Sequence, residues 1–152
     1  MAGVTRKTIQ NLIDKFSIGQ NYKLDNVDAV SVEKFVIKDN GETVRLYKPM
    51  GTYDTRYPEL EVDDFGLVIM NEQQAKFLQS TISGPTAILC VDSTHKTNDY
   101  NLKLTTLITV NSFGNGIPCA FFITTKEDIH ALSFFFQSIK AVVGNLHPKV
   151  SF

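Results

Sequence analysis

No cysteine or histidine precedes Cys90 in this 152-residue chain. That excludes a zinc finger or ribbon ahead of it, since such sites need four Cys or His ligands. The three histidines that follow, His95, His130 and His147, show no ligand spacing with one another. Basic excess is also missing. The formal net charge is -1 and the sequence pI is about 6.3, so composition alone gives no electrostatic case for nucleic-acid binding. No apolar run approaches membrane-spanning length, and the first residues lack the continuous apolar core of a signal peptide. An intracellular protein without a membrane partner is expected. Internal repeats and low-complexity stretches are absent.

The two cysteines, Cys90 and Cys119, both fall in predicted interior strands with a third strand between them. Their Cα atoms are then too far apart for a disulfide. They read as two small buried hydrophobes in a reducing compartment.

What is present fits an ordinary globular chain, 43% hydrophobic and 20% charged, with room for one domain and a short helical preface. Helical spacing predicts amphipathic segments over 5–16 (Ile9, Leu12, Ile13, Phe16) and over 28–38 (Val32, Phe35, Val36). Asp39-Asn40-Gly41 stops the second. A short strand is expected over 43–47, then a loop over 51–64. The acids of that loop, Glu59, Glu61, Asp63 and Asp64, read as a solvated face rather than a metal site. Another strand is expected over 65–70, and a helix from Glu72 capped by Asn71.

The stretch 87–124 organises the rest. A fully apolar strand, 87–91, delivers Asp92 at its carboxyl end. A carboxylate there is costly unless solvated, paired or bound to metal. An alternating strand over 102–110, a turn with two glycines and a third strand over 117–124 complete a meander. Thr125 to Asp128 forms a capping-box pattern with Asp128 at the third helical position, opening a helix through Val143 that Gly144 ends. Residues 149–152 read as the start of a further strand, parallel to the first and beside it. The expected fold class is α/β (α+β), a mixed sheet of meander, crossover helix and incomplete fourth strand behind a helical preface.

The wording of this block carries a resemblance. Asp92-Ser93-Thr94-His95-Lys96-Thr97-Asn98, Tyr100, Leu104, Thr106-Leu107, Phe113-Gly114-Asn115-Gly116, Pro118 and Glu127-Asp128 resemble the Mutator-like (MULE) transposase domain, as do Phe134-Phe135 and Pro148-Lys149-Val150. The resemblance implies a ribonuclease H-like fold, with residues 65–152 as the first part of that domain and 1–64 as a mainly helical and loop preface. It implies a cut-and-paste DNA transposase acting in the nucleus on terminal inverted repeats, with three acids holding Mg2+ or Mn2+. Asp92 matches the first catalytic, metal-binding aspartate. The second is expected just beyond Phe152 and the third much later. Glu127 and Asp128 are candidate substitutes, although the capping role accounts for Asp128; Asp99 reads as solvated. His95 is either a loop histidine or a neighbour supporting Asp92. The chain as given is therefore expected to be inactive alone, and whether it counts as an enzyme stays open. The alternative is a domesticated binding or regulatory module derived from a transposase; an unrelated α/β domain is the third reading. An incomplete sheet should also expose an edge through which chains self-associate.

Overall fold

Local signals set most element ends. The computed structural model describes residues 25–58, 60–84, 87–94 and 100–146. The segment 5–16, Glu59, the loop 95–99 with His95 and Asp99, and the strand expected over 149–152 lie outside the described residues. The chain divides into two units, Met1–Asn40 and Gly41–Phe152.

In the first unit, helix α1 spans Asp28–Asp39 and ends where Asn40 takes the left-handed φ of 50°. The Asn-Gly stop is thus where the sequence put it. α1 buries no side chain completely; Val32 and Val36 are half-buried and Phe35 is exposed.

The second unit holds strands β1 (Val44–Lys48) and β2 (Gly66–Ile69), helix α2 (Glu72–Ile82), strands β3 (Leu89–Thr94), β4 (Lys103–Val110) and β5 (Gly116–Thr124), and helix α3 (Ile129–Val143). The strands form one sheet in the order β1-β2-β5-β4-β3, antiparallel at every pairing. The meander β3-β4-β5 is the expected one. Beyond it, β2 adds to the free side of β5 and β1 to β2, so residues 41–64, assigned to the preface from sequence, belong to the same unit as the core block.

Register decides the faces, because paired residues project to the same side. Leu46, Val68, Ala120, Phe122 and Leu107 share one face and form the core with Ala75 and Leu78 of α2 and Ala131, Phe135 and Ile139 of α3. The Phe122 and Phe135 rings stack at 5.4 Å. Both helices therefore cover one face. Gly66 sits where a Cβ would meet Leu46 at 3.3 Å, so its missing side chain leaves room for Leu46 to pack against the backbone there.

The helix caps confirm one expectation and correct another. Asn71 caps α2 in a reciprocal box with Gln74, at 2.8 and 2.9 Å. At α3 the box predicted from Thr125 is displaced by three residues. Asp128 is itself the N-cap, accepting from Ala131 N at 2.9 Å, because the chain leaves β5 in extended conformation and turns helical only at Ile129. Gly144, at φ 83°, ends the helix as expected.

Candidate functional site

Asp92 lies inside β3, two residues before its end, and not just after the strand as the apolar run suggested. The ladder to β4 continues through Ser93↔Thr105 and Thr94↔Leu104. Two threonines on the helix-covered face hold this strand on either side of the acid. Thr109 Oγ1 donates to Ile88 O at 2.9 Å, and the Ser93 and Thr105 hydroxyls meet at 3.0 Å. Thr105 and Thr109 are both fully buried.

Asp92 pairs with Thr106, and Thr106 with Phe121. Their neighbours Val91↔Leu107 and Ser93↔Thr105 face the helices, so Asp92 projects from the opposite face, with Cys90 and Thr94 beside it. All three are exposed. Among the described residues, no hydrogen bond or ion pair reaches the Asp92 carboxylate.

β3 is the last strand of the described sheet, and the neighbour expected beside it, over 149–152, lies outside the described residues. Cys90, expected to be buried, is exposed, which corrects that reading; Cys119 is buried, and desolvation there raises its thiol pKa. A run of apolar residues identifies a strand but does not say how many neighbours flank it.

The other acids do not join Asp92. Asp128 caps α3. The first influence on its carboxyl is the bond from Ala131 N, which with Lys126 holds it below its ordinary value of 3.8 against a partial desolvation. Glu127, in the same turn, has an interaction of its own. This turn follows β5, one strand removed from β3, a backbone spacing of roughly 10 Å.

The acids of the 61–64 loop are also not simply solvated. Lys126 Nζ lies 3.5 Å from Asp64, 3.6 Å from Asp128 and 3.8 Å from Glu61. Partial desolvation works against its ammonium, and the carboxylates of Asp64, Asp128 and Glu61 outweigh it, so its pKa is raised.

Sequence reasoning missed Lys48. It is fully buried, and its ammonium donates to the carbonyls of Glu61 at 2.5 Å, Val62 at 2.9 Å and Asp64 at 2.6 Å. The available signal was parity: in a strand, Lys48 shares the inward side of Leu46.

Could this arrangement hold a divalent metal? Mg2+ is held through carboxylates with water, and a two-metal centre needs several converging acids. Among the described residues no group of three or more His, Cys, Asp or Glu side chains is placed to hold an ion. Asp92 alone does not fit such a centre.

What the geometry defines, among the described residues, is an α/β unit whose strand β3 presents the Asp92 carboxylate away from the helices. The comparison with known families then agrees with the resemblance carried by its sequence. Residues 88–151 match the model of the MULE transposase domain, a stretch that includes β3, β4, β5 and α3. No curated protein and no solved structure matches the chain. Among the described residues, no helix is long and apolar enough to cross a membrane.

Proposed function

We propose that this chain is a piece of a DNA transposase of the MULE type, with Asp92 as the first carboxylate of its metal centre and residues 65–152 as the start of a ribonuclease H-like domain. The single observation that carries this reading is the place of Asp92. It is an exposed acid on β3, the first strand of the meander, inside the stretch that matches the family, and no described residue pairs with it. A carboxylate placed this way is open to a ligand from outside.

DNA ending in terminal inverted repeats is the partner this reading assigns, and the nucleus the compartment. Divalent Mg2+ or Mn2+ is the cofactor used in the family. No second carboxylate converges with Asp92 among the described residues, and this reading takes the 152-residue chain alone to be inactive in strand cleavage and transfer.

Two measurements test the proposal. Mn2+ titrated into the labelled protein should broaden the amides around Asp92 with an affinity on the order of millimolar, as expected for one carboxylate with water. Asp92→Asn should remove that broadening and leave the fold intact. Incubation with Mg2+ or Mn2+ and repeat-ended DNA should give no strand cleavage, in wild type and variant alike. Broadening elsewhere, or broadening that persists in Asp92→Asn, would overturn the assignment of Asp92. Metal-dependent cleavage abolished by Asp92→Asn would overturn the claim of inactivity.

A further inference from the structure

Two Asn-Gly pairs occur in the sequence, Asn40-Gly41 and Asn115-Gly116. Such a pair rearranges without an enzyme when its backbone allows. The glycine amide nitrogen loses its proton and attacks the asparagine Cγ. Nδ2 then leaves as ammonia, taking up a proton. The cyclic imide that results adds water at either carbonyl. One product is aspartate; the other is isoaspartate, with the main chain rerouted through the former side chain. Glycine favours the attack because no Cβ crowds its nitrogen. What decides the outcome is whether the backbone can turn that nitrogen toward Cγ.

All four residues are exposed, so access to water does not separate the two pairs. Hydrogen bonding does. Asn115 is fixed on both sides: its N–H donates to Asn111 Oδ1 at 2.9 Å and its carbonyl accepts from Asn111 N at 3.0 Å. Gly116 begins β5, paired with Val110, and a Cβ there would lie 3.2 Å from Ile108. Ring closure at Asn115 therefore requires the end of the β4–β5 hairpin to open.

Asn40 stands at the end of a helix, with φ 50° and ψ 30° just past the last residue of α1. Closing the ring needs rotation about that ψ, so the helix end must loosen. α1 opposes this weakly, since it buries no side chain completely, and elements so lightly anchored open locally at small cost. A Cβ on Gly41 would meet nothing within 4 Å, so the turning peptide has room. No hydrogen bond from a described residue holds the Asn40 side chain. Arg45 donates to the carbonyls of Gly41 and Glu42 at 3.0 and 2.9 Å, which anchors the chain on the glycine side of the bond that must turn.

We propose that Asn40 is a site of spontaneous deamidation, at the join between the two units of the chain. The product places a new carboxylate at the carboxyl end of α1, beside Asp39 and Glu42, where the helix dipole disfavours negative charge. Isoaspartate also lengthens the backbone by a methylene, so the left-handed turn that ends α1 is lost. The modification involves no DNA and stands apart from the transposase reading.

The test follows native protein kept warm in mildly alkaline buffer, sampled over several days and digested. Peptides carrying Asn40 and Asn115 are separated from their aspartyl and isoaspartyl products by chromatography and identified by mass. The same chain held in urea gives the rate of each pair with the fold removed. Asn40 should convert in the native protein at nearly its unfolded rate, while Asn115 is slowed roughly tenfold or more. An Asn40 slowed as much as Asn115, or left intact while the urea sample converts, would overturn the proposal. In hydrogen exchange, the purified modified fraction should exchange its α1 amides faster than fresh protein, with β4 and β5 unaltered. Equal exchange in α1 would overturn the stated effect on the helix.

Discussion

Replacing Lys48 by Met keeps most of the aliphatic stem inside the core and removes only the ammonium. Three carbonyl oxygens, of Glu61, Val62 and Asp64, then lose their donor in a place where the replaced residue was fully buried. A hydrogen bond from a charged group contributes about 1.5–3 kcal/mol. That figure is already net of exchange with water, and three bonds that share one ammonium do not add in full. The expected net loss is about 3 kcal/mol, a drop of roughly 12 °C in Tm for a unit of this size. Lys126→Met is the matched comparison. Lys126 faces three carboxylates at 3.5–3.8 Å but keeps 31% of its side chain exposed. Ion pairs this open to solvent contribute little to stability. Urea unfolding followed by circular dichroism reads both variants. If Lys48→Met lost less than Lys126→Met, the argument that neutral carbonyls around a buried ammonium outweigh carboxylates around a wet one would be wrong.

Three further expectations follow from single contacts. Asp128→Ala should cost about 1 kcal/mol by removing the cap of α3. Because the Asp128 carboxyl is lowered from 3.8 in the folded chain, that contribution is present above 3.8 and fades as pH falls through the lower folded value; wild type and variant should converge in acid urea melts. Only Cys90 should react with a thiol reagent in the native protein, with Cys119 joining it after denaturation; a native count of two would contradict the burial of Cys119. Phe122→Ala should cost about 3–5 kcal/mol, because its ring is 1% exposed and stacked on Phe135; a loss under 1 kcal/mol would mean the two helices do not close on this face.

Much of the local structure was legible because it is governed by neighbours in the chain. Asn40-Gly41 ends α1, Asn71 starts α2, and the alternation from Lys103 to Val110 makes β4, all through contacts within a few residues. The displaced cap at α3 shows the limit. Thr125 and Asp128 both fit a capping pattern, and the choice between them depends on how far β5 stays paired, through Thr124↔Lys103 and Thr124↔Gly66.

The sequence by itself determined the order and type of the elements among the described residues and the meander, while it placed Asp92 at the end of the first strand rather than inside it. Each rests on periodicity or on short-range backbone preference, which a single chain displays openly. Tertiary structure alone decided the exposure of Cys90 and Asp92. It also decided that β1 and β2 extend the sheet from β5, that Lys48 turns inward to hold the 61–64 loop, and that Asp64, Glu61 and Asp128 gather round Lys126. Those outcomes depend on pairings between residues far apart in sequence. A strand's composition shows that it will be paired, while its neighbours, and so its exposure, are set only when the whole sheet closes over its core.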